Sequence, residues 1–200
     1  MSGYQGFNSN GKMVSGVASA PTLVEFEIAD AYGTAIFNGD PVAFTAGLLV
    51  LCPANTTTLT PVGVLRGIRY IDAQGQVQRL HYYPASTTST GTLDFAGGVT
   101  GNVVALVELA QDALFTIDSS GTAMTQAMIG ATYQLAGVGT QIGATGRSAA
   151  TVAVNTAATP GTQLAGVRIH RIAPIPGNQV IGQTGATLEV SFIESFGDAT

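Results

Sequence analysis

Glycine and proline interrupt this chain so often that helices of ordinary length have little room to form. The sequence contains 26 glycines and 8 prolines. No window of about fifteen residues carries apolar side chains at helical spacing. Apolar residues occur instead in short runs, several of which alternate with polar ones. This pattern predicts an all-β fold with glycine-rich turns between the strands.

Alternating segments predict individual strands. In residues 22–28, valine, phenylalanine and isoleucine alternate with two glutamates, as in a strand that is buried on one face. Residues 72–75, Asp-Ala-Gln-Gly, separate two strand-like runs at 62–71 and 76–83 and predict a β-hairpin turn. Residues 42–51 form a longer run whose second half is continuously apolar, which predicts a strand buried on both faces there.

Further short runs bring the number of expected strands to about ten. Met124 and Met128 are four residues apart, so residues 122–129 are expected to form the one short helix. Many short strands with regular turns predict an antiparallel β-sandwich or a jelly-roll-like barrel. The remaining strand predictions are residues 103–109, 114–117, 132–135, 151–154, 163–172 and 186–193.

The domain organisation follows from composition. Residues 1–20 are rich in glycine, serine, asparagine and alanine and show no periodicity, so we expect an extended N-terminal arm. The composition does not change at any later point in the same way. Residues 21–200 are therefore predicted to form a single β-sandwich domain.

Charge is scarce in this sequence. Seven basic and twelve acidic residues give a net charge of −5, and only 10% of residues are charged, against about 25% in ordinary soluble domains. The chain contains no basic run of the kind that binds nucleic acid. It also lacks the roughly 18 consecutive apolar residues of a membrane span. We expect a soluble protein, made in the cytoplasm without a secretory signal, that binds neither nucleic acid nor membrane.

Reactive groups show no recognisable catalytic spacing. The two histidines, His81 and His170, each lie inside a predicted strand, and the only cysteine, Cys52, lies in an apolar run that predicts a buried, inert thiol. Residues 6–13 nearly match a phosphate-binding loop, but Met13 replaces the required hydroxyl residue. We therefore expect no enzyme activity, no cofactor and no metal site.

One enzymatic alternative stays open at this point. Carboxylates on separate strands could converge in a cleft, as they do in glycoside hydrolases. The candidates for such a pair are Glu25, Glu27, Asp40 and Asp72.

The scarcity of charge indicates a surface that contacts other proteins. A folded monomer of this mass exposes roughly 8,800 Å², and a typical domain would cover that area with more than twice as many charges. Lysine, which discourages association at sheet edges and is depleted in interfaces, occurs only once. The sequence therefore favours a protein that works inside an assembly.

Several glycine and turn motifs resemble a known family. Their order resembles that of the head decoration, or cement, proteins of tailed bacteriophages, over residues 30–192. The resemblance rests on Gly39-Asp40-Pro41-Val42, Gly63-Val64, residues 67–75, Phe115, Ile129-Gly130, Tyr133-Gln134-Leu135, residues 143–148 and residues 163–169.

This resemblance implies a structural virion protein with no catalytic role. Such a protein binds the outer surface of an icosahedral capsid and stabilises it by bridging capsid subunits. Its expected partners are the major capsid protein and further copies of itself, as a homodimer or homotrimer. Within the arm, we expect Tyr4, Phe7 and Met13 to contact the capsid.

The alternative within the virion is a minor capsid protein or a surface protein that binds the host or a glycan. Such a protein would need an aromatic cleft for the sugar. Tyr70, Tyr82 and Tyr83 are the candidates for its lining.

Overall fold

The structure is a computed structural model that confirms the all-β prediction. It describes residues 6–14, 17–19, 22–93, 101–111, 113–175, 178, 181–182 and 184–194, with the backbone alone for residues 10–14 and 17–19.

Thirteen strands lie within the described residues, together with one single-turn 3-10 helix at Gln126–Met128. The strands are β1 Asn8–Val14, β2 Val17–Ser19, β3 Leu23–Ile28, β4 Pro41–Thr45, β5 Leu48–Leu51, β6 Pro61–Ile71, β7 Val77–Leu80, β8 Val103–Leu109, β9 Ala113–Ser120, β10 Thr132–Ala136, β11 Thr151–Ala157, β12 Val167–Ile172 and β13 Thr187–Phe192.

The first sheet closes into a five-stranded barrel. Its strand order is β4-β5-β3-β8-β6, and a further pairing of β4 with β6 completes the ring. β7 is attached to β6 outside this ring. Alternate residues of β8, namely Val103, Ala105 and Val107, point into a core that also contains Ile28 and Leu65. The period of two in the sequence is therefore the inward and outward alternation of a barrel wall.

The second sheet forms a barrel of the same size. Its ring is β11-β10-β12-β13-β9, completed by a parallel pairing of β11 with β9. β1 pairs with one end of β9, and β2 pairs with β1. Phe115, Ile117, Ile169 and Leu188 are fully buried in its core.

The two barrels share one strand topology. Numbered along the chain within each barrel, the first strand pairs with the third in parallel and with the fifth, while the second and fourth strands pair with each other. In each barrel the remaining neighbours are the second and third strands and the fourth and fifth, all antiparallel. The chain is thus a tandem repeat of one five-stranded barrel, which sequence analysis did not detect.

Some strand predictions are confirmed and one is wrong. The hairpin around residues 72–75 is present between β6 and β7, and the run at 103–109 is β8. The run at 42–51 is instead two strands, β4 and β5, joined by Ala46 and Gly47. Both turn residues have positive φ, 51° and 83°, which matches the type I′ geometry that two-residue hairpins favour.

The predicted extended arm of residues 1–20 is corrected where the structure describes it. Asn8–Val14 and Val17–Ser19 are strands of the second sheet, and Phe7 is buried in its core. The low-complexity segment obtains its order from β9, with which β1 pairs, rather than from its own composition. That residues 21–200 form a single domain stays a prediction.

The predicted helix at residues 122–129 is much shorter than expected. Only Gln126–Met128 is helical, in a single 3-10 turn. Met124 is fully buried in the core of the second barrel, and Met128 is partly buried against the same core. The spacing of the two methionines therefore reflects their packing on this core and not a longer helix.

Candidate functional site

The two barrels meet at a buried carboxylate, Asp40, at the end of the turn before β4. Asp40 has no exposed surface. Its Oδ2 accepts a hydrogen bond from the amide of Phe37, at 2.9 Å. Its Oδ1 accepts hydrogen bonds from Ser148 Oγ, at 2.5 Å, and from the amide of Gly139, at 3.2 Å. One side chain of the first barrel therefore holds a loop that belongs to the second.

Backbone hydrogen bonds surround this carboxylate. The amide of Ser148 donates to the carbonyl of Asn38 at 2.9 Å, and the amide of Asn38 donates to the carbonyl of Gly146 at 3.0 Å. Gly39 adopts a φ of +94°, and a Cβ there would lie only 3.1 Å from the amide nitrogen of Phe7. The Gly39-Asp40 turn thus requires glycine for both its conformation and its close approach to the N-terminal segment.

Burial is the dominant influence on this carboxylate. It raises the pKa of Asp40 from 3.8 to about 6, although the hydrogen bonds from Ser148, Phe37 and Gly139 favour the ionised form. The junction therefore contains an acid that titrates near neutral pH. The donors to this carboxylate are groups of the protein itself, two of them in the second barrel's loop. The arrangement therefore serves to join the barrels.

A cavity lies on the outside of the first barrel. It has a volume of about 500 Å³ and is an open cleft. We call it the arginine cleft; its lining includes Glu25, Arg66, Arg69, Arg79, Leu80 and His81. Three of the six arginines of the chain are therefore in one place.

Two of these arginines are paired with acids. Arg66 donates from Nε to Oε2 of the buried Glu108 at 2.7 Å, and from Nη1 to the carbonyl of Phe7 at 2.6 Å. Arg69, three residues further along β6, contacts Glu25 Oε2 through Nη2 at 2.7 Å. A β-bulge between Leu65 and Gly67 turns Arg66 to the same side of the sheet as Arg69.

The third arginine of the cleft has no compensating charge among the described residues. Arg79 is exposed on β7, directly opposite Arg69 in the β6–β7 register. Like charges in directly opposed positions of two strands repel each other. His81, at the end of the cleft, contacts the carbonyl of Thr145 through Nε2 at 2.7 Å. Since a carbonyl can only accept, that nitrogen carries the hydrogen.

The predicted capsid contacts of the arm have three different outcomes. Phe7 is only 1% exposed and packs against Phe115 and Phe192, with ring centroids 5.5 and 4.8 Å away. The prediction that Phe7 contacts a capsid is therefore wrong, because the ring belongs to the core of the second barrel. Tyr4 lies outside the described residues, and for Met13 only the backbone, in β1, is described.

The residues named for the two alternative functions have partners within the protein. Tyr83 is fully buried with its hydroxyl bonded to the carbonyl of Tyr32, and Tyr70 packs on the same core. Tyr82 stacks on Phe37 at 5.9 Å. Tyr70 and Tyr83 thus contribute to the core of the first barrel, while Tyr82 packs on Phe37.

The four candidate carboxylates have separate partners. Glu25 pairs with Arg69, and Glu27 accepts from the side-chain amide of Asn102 at 3.2 Å. Asp72 accepts from the amides of the hairpin turn, which lowers its pKa, and Asp40 lies in the junction. Each acid thus has a structural role in its own neighbourhood.

The remaining candidates also have structural explanations. Cys52 is fully buried, as predicted, and burial raises the pKa of its thiol to about 12. The loop-like motif at residues 6–13 largely coincides with strand β1, so it has no phosphate-binding conformation there. Among the described residues, no group of three or more histidines, cysteines and acids is placed to hold a metal ion. No helix in the described part of the chain is long and apolar enough to cross a membrane.

The fold thus defines an all-β protein built from two five-stranded barrels of the same topology. Comparisons with protein-family models, with curated proteins and with solved structures found no match.

Sequence analysis missed the arginine cleft, although part of it was predictable. A hairpin centred on residues 72–76 places Arg69 opposite Arg79 by counting outward from the turn. The position of Arg66 depends on the bulge, and its partner Glu108 is 42 residues away along the chain. Neither of these features leaves a local pattern in the sequence.

Proposed function

We propose that this chain is a structural protein of a tailed-bacteriophage head, bound to the outside of the capsid after synthesis in the host cytoplasm. In this role it bridges neighbouring capsid subunits, acts with further copies of itself, and stabilises the shell without catalysis. The proposal combines the motif resemblance with a surface that is unusually poor in charge.

The observation that carries the proposal is the small number of charges left at the surface. The chain exposes 9199 Å² yet has nineteen acidic and basic residues. Four of its acids are buried and therefore add no charge to the surface: Asp40, Glu108, Asp118 and Glu189. Ordinary soluble domains use surface charge to avoid association. A surface with so few charges is suited to lasting contact with other polypeptides.

Exposed strand edges offer a mode of contact. Within the described residues, β7 pairs with β6 alone and β2 pairs with β1 alone, so each has a side with free backbone groups. Val77 on β7 is 56% exposed, and its β-branched side chain is of the type that is enriched in strands. A neighbouring capsid subunit could extend either sheet by strand addition.

Electron microscopy of phage particles tests the proposal. We expect particles assembled with this chain to show additional density on the outer surface at local symmetry axes, and particles assembled without it to lack that density. Particles without the chain should also lose their DNA at a lower temperature. Identical particles in both preparations would contradict the proposal.

The contribution of the N-terminal segment needs a finer variant than removal of residues 1–20. That deletion also removes β1 and Phe7 from the second barrel, so a loss of binding would only reflect unfolding. Deletion of residues 1–5 removes Tyr4 and leaves Phe7 in place. If Tyr4 contacts the capsid, this shorter deletion should weaken attachment while leaving the thermal unfolding of the isolated chain unchanged.

A further inference from the structure

We propose that the arginine cleft binds an acidic side chain on an extended segment of a partner polypeptide. The inference deepens the proposed function, on which it rests for the nature of the partner. It assigns to that partner a specific contact through the face of the first barrel.

The charge balance of the cleft is the first argument. The charge of Arg66 is balanced by Glu108, and that of Arg69 by Glu25. Arg79 leaves one positive charge without a counterpart among the described residues, in a chain whose net charge is −5. A carboxylate placed between Arg69 and Arg79 would relieve their cross-strand repulsion and gain charge-assisted hydrogen bonds.

The shape and lining of the cleft favour a polypeptide over a small inorganic ion. Its volume of about 500 Å³ is far larger than phosphate requires and lies in the range of pockets that hold organic ligands. Leu80, Val104 and Leu106 supply apolar surface beside the guanidinium groups. That combination fits a glutamate or aspartate together with the apolar neighbour of an extended segment.

Nuclear magnetic resonance of the arginine side chains tests this assignment in the isolated protein. The chain has only six arginines, so six Nε–H signals are expected, and single Arg→Gln variants assign them. The probe is the peptide Gly-Glu-Leu-Glu-Gly with blocked ends. We expect its addition to shift the signals of Arg79 and Arg69 to saturation, and to leave those of Arg147 and Arg168 in place.

A matched pair of variants measures the contribution of Arg79. Arg79→Gln should weaken peptide binding at least about tenfold, as expected for the loss of a charge-assisted contact. Arg168→Gln makes the same change in net charge at an exposed position of β12, in the second barrel, and should leave binding unchanged. Arg79→Lys retains the charge and should bind within a few fold of the original chain, which keeps the test valid if the glutamine variant is unstable.

Several outcomes would overturn the assignment. They are the absence of shifts at Arg79, equal shifts at all six arginines, equal effects of the two glutamine variants, and equal binding of the uncharged peptide Gly-Gln-Leu-Gln-Gly. Inorganic phosphate that reproduces the shifts at the same concentration would identify a small-anion site and overturn the polypeptide ligand. None of these measurements uses a virus particle, so their failure is distinct from a failure of the proposed function in electron microscopy.

Discussion

The buried carboxylate between the barrels should make the stability of this protein depend on pH in an unusual direction. Most paired carboxylates have lowered pKa values and stabilise a protein as pH rises. The pKa of Asp40 is instead raised from 3.8 to about 6 by burial. Its ionised form is therefore favoured in the unfolded chain, and its contribution to stability is greatest at low pH.

The magnitude follows from the two pKa values. One pKa unit corresponds to about 1.36 kcal/mol. The contribution of Asp40 is fully present below about pH 4, is lost as pH rises towards and through about 6, and by pH 8 has fallen by about 3 kcal/mol.

Denaturant unfolding of the original chain and of Asp40→Asn, from pH 3 to pH 8, measures this contribution. Asparagine stays neutral, so the difference in free energy of unfolding between the two proteins isolates Asp40 from the other titrating groups. The amide cannot reproduce all three accepted hydrogen bonds, but that cost does not depend on pH. We expect the original chain to lose about 3 kcal/mol relative to the variant across this range. A difference that stays constant with pH, or that changes in the opposite direction, would refute the reasoning.

Three further predictions concern the core and the strand contacts. Phe7→Ala should lower the free energy of unfolding by about 3–5 kcal/mol, because the ring fills the second barrel; denaturant unfolding that matches the original chain would place Phe7 outside the core. Cys52 should resist alkylation by iodoacetamide at pH 8 in the folded protein and react after denaturation, since burial raises its pKa to about 12; mass spectrometry distinguishes the two cases. Gly63→Ala should destabilise the first barrel by about 2 kcal/mol or more, because a Cβ there would lie 2.2 Å from the carbonyl oxygen of Glu108. Gly33→Ala, where a Cβ meets nothing within 4 Å, is the matched control for thermal unfolding.

Tandem barrels of one topology change how the resemblance to decoration proteins is interpreted. The motifs that carry the resemblance fall on both barrels, for example Gly63-Val64 on β6 and Gly166-Val167 at the start of β12. These strands occupy the same place, the fourth, in their respective rings. The resemblance thus extends over two copies of one strand topology.

The candidate site was less predictable than the strands. Sequence reasoning selected Tyr4, Phe7 and Met13 as contacts because they lie in a low-complexity segment. In the structure, Phe7 is a core residue. It packs against Phe115, which is 108 residues away along the chain. An apolar side chain in an irregular segment can equally be a surface anchor or a core residue, and only the location of its partners distinguishes the two.

The sequence by itself determined the type of secondary structure, because alternation and turn residues act over a few neighbouring positions. The strand at Val103–Leu109, the hairpin between β6 and β7 and the burial of Cys52 all followed from such local patterns. The tertiary structure decided how the strands close into two rings. Closure depends on pairs that are distant along the chain, such as Val152 with Ser119. The burial of Asp40 and the clustering of arginines also come from elements brought together only by folding, so their chemistry depends on the assembled barrels.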